Sequence, residues 1–205
     1  DQDQWRLSGI HREVYLMAEP KFRIADFFYQ TKLDKDYKDA TLSIRPRIEN
    51  LSGTEMKGYM LKAQLYDEKQ QPVLKQPLLK NAEDILNEVH PRLDRVKFGL
   101  LETIIPDPKK WSTEEPNLYT LILSLEDSAG NIKEVKSCRV GFRSIEFRKE
   151  DSKLLINGKL TYLYGVNRPD HHPTKGKALS REDILQDIVT IKKFNFNCVR
   201  LSHYP

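Results

Sequence analysis

Two short polar stretches near the end of the chain carry side chains that could bind or transform a small polar substrate. The first covers residues 167–172 and the second residues 202–205. Each follows an apolar run that predicts a β-strand, over residues 160–166 and 197–201. Barrel and open α/β enzymes collect their functional groups just past the carboxyl ends of their strands, so this pattern indicates an enzyme.

Other chemistries at these residues are disfavoured by spacing. His171 and His172 are adjacent on a predicted loop and would point in different directions, and no cysteine pair joins them and His203 in a zinc-like pattern. Ser202 and His203 are neighbours, which makes a nucleophile–base bond between them awkward, and no Gly-x-Ser-x-Gly motif is present. No pair of acids is marked as facing across a cleft. Spacing therefore marks no metal site, serine nucleophile or facing carboxylate pair in this chain.

Arg200 is the most informative single residue of the second stretch. Alternation along a strand places Cys198, Arg200 and Ser202 on one face. An arginine inside a barrel needs a carboxylate partner, because a lone buried charge is very costly. No nearby acid is an obvious partner, so we expect the partner in sequence outside this chain. An exposed arginine at the end of the chain is the alternative.

A helix is predicted between the two strands. Ser180 followed by Asp183 forms a capping box, and Asn195 is a suitable left-handed stop. The apolar face of the helix consists of Ile184, Leu185, Ile188, Val189 and Ile191. A connection of this length joins parallel strands. One such unit cannot close a barrel, so we expect it to be disordered, to pack elsewhere on the chain, or to pair with another copy.

The earlier part of the chain predicts an antiparallel β-sandwich. Alternating apolar residues indicate strands near residues 12–18, 22–28, 42–48, 61–65, 93–103, 121–125 and 132–142. Pro46 predicts an edge position or a bulge, and Gly130 and the pair Asn157-Gly158 predict hairpin turns. Residues 81–87 are interpreted as a polar connection in preference to a helical turn. About seven short strands are typical of an immunoglobulin-like sandwich.

Composition is that of an ordinary globular protein. The 205 residues include 34 basic and 30 acidic ones, mixed along the chain, which disfavours nucleic-acid binding. No apolar run is long enough to cross a membrane. The chain starts at Asp1 without methionine, so we expect residues before it. Cys138 and Cys198 lie in separate apolar contexts and are predicted to be free thiols.

Several motifs resemble glycoside hydrolase family 2, and within it the large bacterial β-galactosidases. They cover residues 1–10, 108–112, 116–119, 140–143, 165–168, 171–173 and 195–205. The resemblance implies the end of a sugar-binding jelly-roll domain at 1–16, an immunoglobulin-like β-sandwich at 17–143, and the incomplete first part of a (β/α)8 TIM barrel at 144–205. The expected fold class is therefore mainly β, with a sandwich followed by a truncated barrel.

The resemblance also implies a retaining glycosidase that removes terminal non-reducing β-D-galactose from β-galactosides. Such enzymes use two carboxylates about 5–5.5 Å apart, as nucleophile and as acid/base. The family places both beyond Pro205, so this chain by itself is expected to be inactive. By the same resemblance, His203 and Asn167 bind the sugar and Arg200 bonds the nucleophilic carboxylate.

Three positions depart from the family pattern. Pro169 replaces a histidine that helps to hold the sugar, Asp170 stands where glutamate is usual, and Leu201 replaces a small residue. Proline offers no hydrogen-bond donor, so one substrate contact is lost or supplied elsewhere. The alternatives are therefore a β-glucuronidase or β-mannosidase of the same family, or a non-catalytic carbohydrate-binding or spacer sandwich. An adhesion module is a further, less favoured idea.

The expected partners follow from the resemblance. The parent protein would bind a β-galactoside substrate, without nucleic acid or membrane, and would form a homo-oligomer. No cofactor is expected in this chain, whereas Mg2+ and Na+ would be held in the parent by residues outside it. For a bacterial enzyme, the cytoplasm and the periplasm both remain open.

Overall fold

The fold comes from a computed structural model that describes residues 7–87 and 99–202. The chain forms two compact units. The larger unit is Ala18–Thr161, and the smaller unit combines the described residues up to Met17 with those from Tyr162 onward.

Two antiparallel sheets make up most of the larger unit. The first sheet contains β1 (Phe22–Leu33), β2 (Ala40–Asn50) and β5 (Leu101–Ile105), in the order β1-β2-β5. The second contains β3 (Met60–Tyr66), β4 (Leu78–Asn81), β6 (Tyr119–Glu126) and β7 (Ile132–Val140), in the order β4-β3-β6-β7. The predicted antiparallel sandwich of about seven strands is confirmed.

Alternation along the strands builds the sandwich core. Leu121, Leu123 and Leu125 of β6 are fully buried, and each faces an apolar residue across the pairing of β6 with β3. The pairs are Leu61↔Leu125, Ala63↔Leu123 and Leu65↔Leu121. Such cross-strand pairs stabilise a sheet, because neighbouring side chains on one face remove each other from water.

A short helix, α1 (Ala82–Leu86), replaces the polar connection predicted between residues 81 and 87. Asn81 caps it, because its side-chain oxygen accepts a hydrogen bond from the backbone N–H of Glu83 at 2.8 Å. Ala82 and Ile85 are buried in the sandwich core. Tertiary burial therefore decided the conformation of a segment too short to form a helix on its own propensity.

Two other strand predictions need comment. Residues 12–18 are not a strand, and Val14 and Leu16 are exposed. The strand predicted over 93–103 is β5 from Leu101, and its earlier residues 93–98 lie outside the described part of the chain. Among the described residues, β5 pairs with β2 from Ala40 to Ile44, and Pro46 lies just beyond this pairing. The edge or bulge predicted at Pro46 therefore stays a prediction.

A third sheet completes the larger unit, with strands β8 (Ile145–Arg148), β9 (Lys153–Ile156) and β10 (Lys159–Leu160) in the order β10-β9-β8. The predicted turn at Asn157 and Gly158 joins β9 to β10, and both residues have positive φ, at 51° and 74°. A Cβ on Gly158 would lie 2.6 Å from the Tyr37 ring, so the turn needs glycine for its close approach as well.

The smaller unit is a parallel strand–helix–strand motif. It consists of β11 (Gly165–Arg168), α2 (Arg181–Lys193) and β12 (Cys198–Leu201). The parallel strand–helix–strand motif predicted from the sequence is therefore confirmed. The expected rearrangement of this segment is not found, and its pairing with another copy stays a prediction. β11 also begins later than the strand predicted over 160–166, so Asn167 and Arg168 belong to the strand rather than to the loop after it.

Helix α2 has the ends predicted for it. Ser180 and Asp183 form the capping box, and Asn195 has φ of 61° just after the helix. The described residues do not bury the predicted apolar face, since none of the residues of α2 is buried. Leu185, Ile188 and Val189 are among its exposed side chains.

Candidate functional site

Asn167 and Arg200 lie side by side at the carboxyl ends of the two parallel strands. They are direct partners in the register of β11 with β12, and both are exposed. Gly165 permits this close pairing, because a Cβ at that position would lie 2.6 Å from the carbonyl oxygen of Cys198. Two of the three predicted site residues are therefore neighbours, whereas the third, His203, lies outside the described residues.

The opposite face of β11 carries a buried ion pair. Arg168 and Asp170 are 7% and 9% exposed, and the guanidinium Nη1 donates a hydrogen bond to the Asp170 carboxylate at 2.6 Å. Asn167 and Pro169, which alternate with them, are exposed. The backbone continues the pairing one step further, because the Ser202 N–H donates to the Arg168 carbonyl at 3.2 Å.

Two more charged residues join this pair. Arg168 Nε donates to an Asp187 oxygen on α2 at 2.9 Å. Arg12, in the N-terminal segment of the same unit, forms an ion pair with the other oxygen of Asp170. We call the set Arg12, Asp170, Arg168 and Asp187 the ion-pair network. Its formal charges sum to zero.

The sequence analysis did not predict the ion-pair network. It treated Arg168 only as a match to the family and Asp170 only as a departure from it. The sequence placed both residues in a polar stretch after the predicted strand, where the alternation of side chains along a strand could not be used to pair them. Arg12 and Asp187 had no local signal, because they reach the pair through tertiary structure.

The loop between β11 and α2 is closed by a turn at His172. Its ring nitrogen Nδ1 accepts hydrogen bonds from the backbone N–H groups of Thr174 and Lys175 at 3.2 and 3.3 Å. Lys175 then contacts the Asp183 carboxylate at 2.7 Å, and this contact lowers the pKa of Asp183 to about 2. His172 thus acts as a structural acceptor in this turn.

Metal binding finds no fitting residues in the described chain. Residues 7–87 and 99–202 contain no group of three histidine, cysteine or acidic side chains placed to hold an ion. Asp170, the most buried acid near the site, is already paired with two guanidinium groups. The expectation that Mg2+ and Na+ are held by residues of the parent outside this chain stays a prediction.

The cysteines and the helices give two further findings. Cys138 and Cys198 are free and half-buried, and partial burial raises the pKa of the Cys138 thiol. In the described ranges, no helix has the length and apolar character needed to span a membrane.

Comparison with known proteins gives these features a family context. Residues 22–143 match the model of glycosyl hydrolases family 2, and residues 147–205 match the TIM barrel domain of that family. The whole chain is 42% identical to a β-galactosidase of Priestia megaterium and 38% identical to one of Psychromonas ingrahamii. It spans 19% of the length of each relative.

A solved structure supports the fold independently. A β-glucuronidase of Parabacteroides merdae superposes with a TM-score of 0.72 at 21% identity, covering 90% of this chain and 22% of the enzyme. Identity this low supports the fold alone. The sandwich, the parallel strand–helix–strand motif and the two family matches together account for nearly the whole chain, which therefore belongs to glycoside hydrolase family 2.

Proposed function

We propose that the parent protein is a retaining β-galactosidase and that this chain supplies one edge of its sugar site. The observation that carries the proposal is the pairing of Asn167 with Arg200 at the exposed ends of two parallel strands. Barrel enzymes bind substrate at this end. The identity of 42% to a β-galactosidase over the whole chain favours galactosides.

Each residue has a distinct proposed role. The Asn167 side chain can both donate to and accept from a sugar hydroxyl. Arg200 holds the nucleophilic carboxylate of the parent by a charge-assisted hydrogen bond, which keeps that group ionised and correctly oriented. His203 binds the sugar. The nucleophile and the acid/base are two carboxylates outside this chain, about 5–5.5 Å apart for a retaining mechanism.

Substrate choice tests the proposal directly. The full-length parent is assayed on the nitrophenyl β-glycosides of galactose, glucuronic acid and mannose. We expect the highest kcat/KM on the galactoside, and no hydrolysis by the 205-residue chain alone. A preference for another sugar would overturn the specificity, and turnover by the isolated chain would overturn the assignment of both carboxylates to other segments.

The role of Arg200 gives a residue-level prediction. Arg200→Ala in the parent should lower kcat about 100- to 1,000-fold, as expected when one donor to a reacting charged group is removed. Arg181→Ala is the matched control, because Arg181 is also an exposed arginine of the smaller unit. Equal kcat values for the two variants would contradict the role of Arg200.

A β-glucuronidase is the second candidate function. Pro169 removes a sugar contact that the galactosidase pattern supplies, and the fold is shared with a β-glucuronidase. A glucuronide carries a carboxylate, so such an enzyme would need a cation at the sugar's acidic group. The same substrate panel separates the two candidates.

A further inference from the structure

The ion-pair network connects four separate parts of the smaller unit. Arg12 belongs to the N-terminal segment, Arg168 to β11, Asp170 to the loop after it, and Asp187 to α2. Arg12 also donates to the Lys177 carbonyl at 3.4 Å, so it contacts the loop at two points. Nearby, the side chain of Leu7 lies against Gly176.

Because part of the ion-pair network is buried, each of its charges needs a partner of opposite sign. Buried ions are costly unless each is well paired, and removal of one partner leaves an uncompensated charge. Asp170 is 9% exposed and divides its two oxygens between Arg12 and Arg168. Without Arg12, one oxygen of the buried Asp170 carboxylate loses its cation, and the ion-pair network acquires a net charge of −1.

The ion-pair network includes Arg168 at the end of β11, next to the residue proposed to contact the sugar. Arg168 and Asp170 are buried on one face of the chain while Asn167 is exposed on the other. A shift of the Arg168 backbone therefore moves Asn167, and also Ser202, whose N–H donates to the Arg168 carbonyl. Pro169 has no N–H that could donate a hydrogen bond in this stretch, so the side-chain ion pairs contribute more to holding it in place.

We propose that Arg12 is a positioning residue, which fixes the end of β11 through Asp170 and Arg168 and so sets the placement of Asn167 beside Arg200. This inference rests on the proposed function. Arg12 lies 155 positions before Asn167 in sequence (167 minus 12) and would act without touching substrate. Directional ion pairs suit such a role, because they fix orientation as well as distance.

Kinetics of the full-length parent provide the first test. Arg12→Ala should lower kcat/KM on the preferred nitrophenyl glycoside by about tenfold, the scale seen when a residue supporting a site is removed. Arg12→Lys keeps the charge and should recover part of the loss. Arg148→Ala is the matched control: Arg148 is exposed to the same degree, 47% against 46%, and also pairs with an aspartate, but within the larger unit.

Coupling to Asn167 separates positioning from general destabilisation. If Arg12 acts through Asn167, then Arg12→Ala should cost much less in an Asn167→Ala background than in the wild type. A full and additive loss in that background would overturn the inference.

Hydrogen exchange of the free parent gives a readout that needs no substrate. Arg12→Ala should speed exchange in peptides covering residues 165–172 and 198–202, while Arg148→Ala leaves them unchanged. Unchanged exchange there, or an equal rise in β6 of the sandwich, would overturn the inference. If the parent fails to hydrolyse galactosides, the proposed function falls, whereas the exchange experiment still decides the role of Arg12.

Discussion

Among the described residues, the larger unit of this chain buries mainly apolar side chains, whereas the smaller unit buries polar ones. The larger unit contains all of the buried apolar residues among those that the structure describes, including Leu61, Leu123 and Phe142. The buried residues described in the smaller unit are Arg168, Asp170 and Ser202, all of them polar.

This difference separates stability from positioning. Hydrophobic burial is non-directional and grows with the area removed from water, so it stabilises the sandwich without fixing any one side chain for chemistry. Ion pairs and hydrogen bonds add less net stability but specify geometry. The smaller unit, which carries Asn167 and Arg200, uses the second kind of interaction.

The largest expected effect contrasts a leucine in each unit. Leu123→Ala removes a fully buried side chain from β6 and should lower the free energy of unfolding by about 2–5 kcal/mol. Leu185→Ala, at a half-exposed position on α2, should change it by less than about 0.5 kcal/mol. Urea unfolding of the chain followed by circular dichroism measures both, and similar losses would break the comparison.

A smaller effect is expected at the start of α2. Ser180→Ala removes the hydroxyl that accepts from the Asp183 N–H, which should destabilise the helix by about 1 kcal/mol. Hydrogen exchange of α2 peptides should quicken while β6 peptides stay unchanged. Ser180→Thr is the control that retains a capping hydroxyl, and equal exchange in the two variants would show that the cap is unimportant here.

The smallest expected effect is a pH dependence at Asp183. Its pKa is lowered to about 2 from an ordinary value of 3.8, first by the hydrogen bond from Lys175 and then by the Ser180 N–H. A depressed folded-state pKa stabilises the fold above pH 3.8, and this contribution is lost as pH falls through about 2. Carboxyl carbon NMR should show a midpoint near 2, moving toward 3.8 in Lys175→Ala; an ordinary midpoint in the wild type would contradict the contact.

Local sequence signals predicted the features that depend on local geometry. The turn at Asn157 and Gly158 follows from the need for positive φ, and the Ser180 capping box follows from its spacing to Asp183. The alternation of Leu121, Leu123 and Leu125 likewise predicted a strand with one buried face.

Features that depend on tertiary contacts could not be predicted in this way. Helix α1 forms because Ala82 and Ile85 enter the core, and residues 12–18 remain outside any strand although Val14 and Leu16 alternate. At the candidate site, the sequence pointed to Asn167 and Arg200, whose roles stay predictions. It could not reveal Arg12, since the partner of Asp170 lies far away along the chain.

The domain boundaries inferred from the resemblance also remain predictions. The family models meet between residues 143 and 147, whereas the compact larger unit continues to Thr161. Strands β8 to β10 therefore belong by sequence to the barrel match and by contact to the body of the sandwich. Leu155 and Ile156, which are buried within this segment, are the residues to vary when the boundary is tested.

The exposed apolar stripe of α2 has a practical consequence for handling the purified chain. Leu185, Ile188 and Val189 form an exposed apolar surface, which favours self-association as the protein concentration rises. A preparation should therefore bind apolar dyes and precipitate more readily in sulfate, which strengthens apolar contacts. Replacing Ile188 with lysine would improve solubility while leaving the sandwich intact.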